Sequence, residues 1–190
     1  GEDPVQSDPN ESHIIEAMRA MECVVIQDLF LNETARYAHV FLPGSSSLEK
    51  DGTFTSAERR VNRVRKVVEP LAGLQDWEIV VKLMNAMGYA CHYDHAGQIL
   101  DEIARLSPAY RGISFDLIDR LGSVQWPCDE NAPEGTEVLH RERFPRANGR
   151  GTFMLTEYVP TRERTTDTFP LLLTTGRILS QYNVGTQTRR

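Results

Sequence analysis

The apolar positions of this chain fall into short runs separated by polar turns. Ile14, Ile15, Met18 and Met21 recur at helical spacing, so a helix is expected over 7–21, capped by Asn10 or Ser12. Cys23-Val24-Val25-Ile26 is a continuous apolar run, the pattern of a strand buried on both faces of a parallel sheet, and Gln27-Asp28 ends it on polar groups. Asn32-Glu33-Thr34-Ala35 can open a short helix. Val40-Phe41-Leu42, stopped by Pro43-Gly44, is a second buried-strand candidate. Helix, strand, short helix, strand is the rhythm of a doubly wound α/β sheet. The stretch 44–65, rich in Ser, Gly and charge, reads as a long loop with some extended structure, and a loop of that length inside a compact domain is usually functional.

Farther along, Asp76 is expected to cap a helix over 77–87, with Ile79, Val80, Leu83, Met84 and Met87 as its apolar face and Gly88 as its stop. Helices are also expected over 96–106, ended by Ser107-Pro108, and over 115–121. Pro127, Pro133, Gly135, Pro145 and Gly149 punctuate 122–150, where a domain boundary is placed. Strand patterns follow at 152–158 and 170–175. Two strands do not make a stable domain, so 150–190 reads as the opening of a β-rich domain that continues past this chain.

Composition narrows the picture without deciding it. With 190 residues, 40% hydrophobic and 25% charged, the chain suits a globular fold of one domain, or of one domain and part of another. A net charge of −6 argues against a general nucleic-acid binder, which needs a basic surface, but leaves room for a local phosphate site. No apolar run of about 18 residues suggests a membrane span, and Gly1-Glu2-Asp3-Pro4 has no features of a secretory signal. Both ends read as cuts within a longer protein. Cys23, Cys91 and Cys128 are far apart, which suits a reducing, cytoplasmic setting and cannot by itself hold an iron–sulfur cluster.

Three features point at one kind of ligand. Gln27-Asp28 stands at the carboxyl end of an expected parallel strand, where open α/β sheets bind ligands; an Asp there can accept two N–H groups from a guanine edge, or it can simply cap a turn. Lys50, after Ser45-Ser46-Ser47-Leu48-Glu49 and before Asp51-Gly52, can reach a phosphate as a point charge, or be a solvated surface Lys. Thr174-Thr175-Gly176-Arg177 follows an apolar strand and, with the hydroxyls and amides that come after, suits a pyrophosphate or an ordinary strand–turn. Cys91-His92-Tyr93-Asp94-His95 lacks the second half that a zinc site needs. Cys23 reads as a buried small hydrophobe and Cys128 as a loop cysteine without a base beside it. Arg59, Arg60, Arg63, Arg65 and Lys66 read as a solvated face or as a contact to another part of a larger protein.

Together these stretches resemble the molybdopterin oxidoreductases. The likeness is carried by Val24-Val25-Ile26-Gln27-Asp28, Glu33-Thr34-Ala35, Ala38-His39-Val40-Phe41-Leu42-Pro43, Glu49-Lys50-Asp51-Gly52-Thr53-Phe54-Thr55, Glu58-Arg59-Arg60-Val61 and the opening Gly1-Glu2-Asp3-Pro4. Gln125-Trp126-Pro127-Cys128, and Phe153 after Asn148-Gly149-Arg150, are similar to formate dehydrogenases; Thr174 through Val184 to Arg190 is similar to the soluble NAD-dependent ones. The resemblance implies part of a doubly wound αβα, Rossmann-like domain over 1–122, a connecting segment over 123–150, and the first strands of a dinucleotide-binding β-barrel over 151–190.

It also implies a bis(molybdopterin guanine dinucleotide) carrying molybdenum or tungsten. Gln27, Asp28, Lys50 and Asp76 would meet one nucleotide end; Thr175, Gly176, Arg177, Ile178, Leu179, Ser180, Gln181, Tyr182, Asn183 and Val184 would wrap the other; Glu2 would lie near the cofactor. The family's metal-ligating Cys or selenocysteine and its 4Fe-4S site fall outside this chain, which by itself is expected to be inactive. The whole subunit would oxidise formate to carbon dioxide and pass electrons through iron–sulfur clusters to NAD, alongside flavin- and iron–sulfur-bearing diaphorase-type subunits. A nitrate reductase-like chemistry or a non-catalytic cofactor-binding module are the alternatives.

Overall fold

The computed structural model describes residues 2–176, which divide between Glu137 and Val138 into two units. In the first, a short helix α1 (Pro4–Ser7) and a helix α2 (Glu11–Ala20) lead into strand β1 (Val25–Asp28). Asn10 caps α2 by accepting from the His13 amide at 3.3 Å. A 3-10 turn (Thr34–Tyr37) then returns the chain to β2 (Val40–Pro43), which pairs parallel to β1 in the register Val25↔Val40 through Asp28↔Pro43. The chain start is tied to this crossover through buried groups. The Asp3 carboxylate accepts from the Glu33 amide at 3.3 Å, the Thr34 amide at 3.0 Å and the Thr34 hydroxyl, and Val5 N–H donates to Thr34 Oγ1 at 3.1 Å. Sequence patterning did not anticipate α1.

The extended structure expected within the long loop over 44–65 is a hairpin, β3 (Gly52–Thr55) and β4 (Arg60–Val64), and β5 (Ser123–Gln125) adds antiparallel to β4. The turn between β3 and β4 ends on Arg59 at φ 66°, in the left-handed region. Its guanidinium donates to the carbonyls of Trp126, Thr136 (3.1 Å) and Glu137 (2.8 Å), so the residues after β5 are fastened to the hairpin. Helix α3 (Asp76–Ala86) begins one residue earlier than expected: Gln75 is its cap, Glu78 accepting from the Gln75 amide at 2.6 Å, and Asp76 is its first helical residue. Helix α4 (Ala96–Leu106) and helix α5 (Phe115–Leu121), capped by Ser114, form where the apolar spacing places them.

The core lies between the antiparallel sheet and α4 and α5. Val61, Leu100, Ile113, Ile118, Val124 and Cys128 are buried there, with Tyr110, Phe115, Leu117 and Trp126 packed around them. The β1–β2 pair is not buried on both faces as its composition suggested: Val25 and Val40 are each 45% exposed, and among the described residues no third strand joins the pair. The architecture is therefore mixed α/β with one small parallel and one small antiparallel sheet. Cys23, expected in a buried strand, precedes β1 and is exposed. Val80, Leu83 and Met87 of the α3 region are likewise exposed.

In the second unit, residues 151–176 form no strand, against the expectation for 152–158 and 170–175. Phe153, Met154, Leu155 and Leu171 to Leu173 are exposed. An isolated strand leaves its N–H and C=O groups without partners, and fewer than three strands with a shared apolar face rarely hold together. Residues 144–149 close a turn, with Phe144 N–H donating to Gly149 O at 3.0 Å.

Candidate functional site at the carboxyl end of the parallel strands

Because β1 and β2 run parallel, Asp28 and Pro43 end at the same edge, and the next residue of each chain turns there. Gly44 N–H donates to Asp28 O at 2.9 Å. A Cβ on Gly44 would stand 3.2 Å from Asp76 Oδ1 and 3.4 Å from the Asp28 carbonyl, so β1, the β2 end and α3 approach closely at this point and a side chain there would have to push the Asp76 carboxylate aside. Ser45, buried, follows.

Asp76 gathers the surrounding donors. Its Oδ1 accepts from Ser45 N at 2.9 Å and from Gln27 Nε2 at 3.0 Å, its Oδ2 takes Lys50 Nζ at 2.5 Å, and its own amide donates to Ser45 Oγ at 3.1 Å. Partial burial pushes the Asp76 carboxyl up, but the Lys50 ammonium, the Ser45 N–H and the Gln27 amide outweigh it and leave the group below the ordinary aspartate value. Lys50 spends one of its three donors on Asp76 and stands 5.7 Å over the Phe54 ring. Its loop is held by Glu49, which accepts from Ser46 N at 2.8 Å and Leu71 N at 2.7 Å. Those two N–H groups lower the Glu49 carboxyl.

Asp28 points the other way, as alternation along a strand demands. Its Oδ1 accepts from its neighbour Leu29 N at 2.6 Å and its Oδ2 from Asn32 Nδ2 at 3.0 Å. The turn-capping role that sequence alone left open is thus present. The structure joins Gln27, Lys50 and Asp76 directly, and Asp28 to them through the Gly44 backbone. Gly44, Ser45 and Asn32 were not singled out from the sequence. Their signal is weak, because a buried serine and a solvated one look alike in a Ser-Ser-Ser run.

The other expected site residues lie elsewhere. Glu2 is exposed beside the buried Asp3. Thr175 and Gly176 are exposed in the second unit. Arg177, Ile178, Leu179, Ser180, Gln181, Tyr182, Asn183 and Val184 lie outside the described residues. The basic stretch is not simply a solvated face: Arg63 is largely buried between Asp51 and Asp119, and Arg59 is the clamp described above. His92 pairs with Asp94 at 3.1 Å, and the Tyr93 phenol donates to Glu102 at 2.6 Å, which pushes Tyr93 up to about 12. Burial raises the Cys128 thiol. Among the described residues no helix is long and apolar enough to cross a membrane.

The molybdopterin oxidoreductase family model matches residues 1–86, the stretch that holds Gln27, Asp28, Lys50 and Asp76. The chain belongs to the molybdopterin oxidoreductases. The chain is 46% identical to the F420-dependent formate dehydrogenase 2 subunit alpha of Methanococcus maripaludis, over 100% of this chain and 28% of that protein. It is 42% identical to the F420-dependent formate dehydrogenase subunit alpha of Methanocaldococcus jannaschii, over the same shares. It is 37% identical to formate dehydrogenase H of Escherichia coli, over 99% of this chain and 27% of that one. The chain thus spans little more than a quarter of the length of these relatives. Among solved structures, acetylene hydratase from Pelobacter acetylenicus superposes with a TM-score of 0.46 at 21% identity, over 62% of this chain and 16% of that one.

Proposed function

We propose that this chain is part of the catalytic subunit of a formate dehydrogenase, and that the carboxyl end of β1 and β2 holds a nucleotide end of a bis(molybdopterin guanine dinucleotide). The observation that carries the reading is the convergence of Gln27, Lys50 and Asp76 around Gly44 and Ser45, with the Asp28 carboxylate on the adjoining strand end. The donor set fits the group. An aspartate carboxylate is the group that can accept the paired N–H groups of a guanine edge, and an ammonium with two donors left matches a phosphate. Family membership supplies the pterin, and the relatives named above are formate dehydrogenases.

In the holo-subunit the molybdenum or tungsten supplies the redox chemistry that turns formate into carbon dioxide. The residues of this chain bind and orient the nucleotide. Asp28 reads the base, Lys50 neutralises a phosphate, and Asp76 with Gln27 holds Lys50 in place. Thr175 to Val184 take the second nucleotide, and 4Fe-4S chemistry belongs to the rest of the subunit. NAD as acceptor draws no support from the Methanococcus and Methanocaldococcus relatives, which are named F420-dependent. In this reading the electrons leave toward F420, and reduction of F420 against NAD by the full complex decides between them.

The direct test is Asp28→Ala in the full-length subunit. Loss of a bidentate base contact costs about 1–3 kcal/mol of guanine recognition. Cofactor content, measured as metal and pterin per subunit when cofactor is limiting, then falls below the native level. Native occupancy in Asp28→Ala would remove Asp28 from the site.

A further inference from the structure

We infer that Arg63 is a positioning residue for Lys50, acting through Asp51; the inference rests on the reading of Lys50 as a phosphate contact. Arg63 lies in β4 opposite Thr53 of β3, beside the turn that carries Lys50. Its Nη2 donates to Asp51 Oδ1 at 2.9 Å, and its Nη1 reaches Asp119 Oδ2 on α5 at 3.4 Å. The guanidinium carbon stands 3.5 Å above the Phe115 ring centre, and the side chain is 10% exposed. Its Nε–H is buried and finds no acceptor among the described residues. For a residue serving stability alone this is a poor choice, since an apolar side chain would cover Phe115 without stranding a donor. The guanidinium does what no apolar group can: one rigid fork holds carboxylates from two separate elements.

Asp51 follows Lys50 directly. Its carboxylate also accepts from Gly52 N at 3.0 Å, and its amide donates to Gln75 Oε1 at 2.7 Å. Gln75 precedes Asp76, which holds Lys50 Nζ. The Lys50–Asp51 pair is thus fixed at three points: the ammonium on Asp76, the Asp51 amide on Gln75, and the Asp51 carboxylate on Arg63. Without Arg63 the Asp51 end of the pair can pivot, and the two remaining N–H groups of Lys50 lose their aim. Asp119 is not stranded by the change, because Arg65 holds its other oxygen at 2.6 Å. The loss therefore falls on Asp51.

The test uses the full-length subunit prepared without cofactor, with GDP and guanosine as probes in titration calorimetry. Arg63→Met and Asp51→Asn are each expected to weaken GDP about tenfold, and the double variant no more than either alone. Guanosine, which has no phosphate, binds all three as it binds the native subunit. Asp51→Asn carries the test if Arg63→Met fails to fold. In a Lys50→Met background, Arg63→Met adds nothing. Native GDP affinity in Arg63→Met and Asp51→Asn, equal losses for GDP and guanosine, or a further loss on top of Lys50→Met each overturns the positioning role. Unchanged GDP affinity in Lys50→Met overturns the phosphate reading and this inference with it.

Discussion

Replacing Asp76 by alanine removes one acceptor from three donors at once. The Ser45 amide is the expensive one, because Ser45 is 2% exposed and water cannot take over its bond to Asp76. A buried N–H left unpaired costs about 1–3 kcal/mol. Lys50 and Gln27 are only partly buried and can turn to solvent, and Asp76 is itself 35% exposed, so their loss adds about 0.5–1 kcal/mol after screening. The total is about 1.5–4 kcal/mol of local stability at the β1–β2 edge. Asp76→Asn keeps an oxygen for Ser45 and Gln27 and gives up only the ion pair, about 1 kcal/mol or less. Hydrogen exchange at the Ser45 amide in the full-length subunit reads both. At 1.4 kcal/mol per decade, Asp76→Ala accelerates exchange about 10- to 700-fold and Asp76→Asn at most about fivefold. If Asn proves as damaging as Ala, charge pairing and not amide satisfaction holds the edge, and the reasoning is refuted. If Ala leaves exchange unchanged, Ser45 has another acceptor.

Three further outcomes follow from the same structure. The folded Asp76 carboxyl lies below its unfolded value, so its contribution is present above the ordinary carboxylate range and is lost as pH falls through the lowered folded value. Ser45 protection, corrected for intrinsic exchange, should therefore persist down to about pH 4 and fall only below it; loss already near pH 6 contradicts the assignment. Ile118→Ala opens a cavity in the core at a fully buried position, and about 2–5 kcal/mol should be missing in calorimetric unfolding. A deficit under about 1 kcal/mol would mean that α5 collapses into the space. Gly135→Ala places a Cβ 2.5 Å from the Gln125 carbonyl at φ 96°, whereas Gly73→Ala, at φ 79°, meets nothing within 4 Å. Strain alone costs about 1 kcal/mol or somewhat more, so Gly135→Ala should lower the melting temperature clearly further than Gly73→Ala, and equal shifts would disprove the clash.

What local pattern could express was legible in the sequence. Helices α4 and α5 follow from the apolar spacing, and α4 from its Ser107-Pro108 stop, because a helix satisfies its own backbone and needs only a stripe to dock. The parallel pair could be read from two apolar runs flanking a short turn, and Gln27, Asp28, Lys50 and Asp76 from the motifs around them. Pattern failed where a partner far along the chain decides the outcome. The β3–β4 hairpin looks like a charged loop because only Val61 faces the core, and what secures it is β5, some 60 residues later. The strands expected over 152–158 and 170–175 had the right residues and lack a neighbour among the described ones.

By itself, then, the sequence determined most of the helices, the parallel strand pair, the family likeness and the short list of polar residues proposed to meet a nucleotide. Only the tertiary structure decided that Gln27 and Asp28 face opposite ways, that Asp76 binds Lys50 and Ser45 and leaves the helix cap to Gln75, and that Arg63 is buried and not solvated. The physical reason is one of range. Backbone preference and apolar period act over a few residues, whereas a carboxylate takes whichever donors the fold brings within 3 Å, and in this chain those donors come from 26 to 49 positions away.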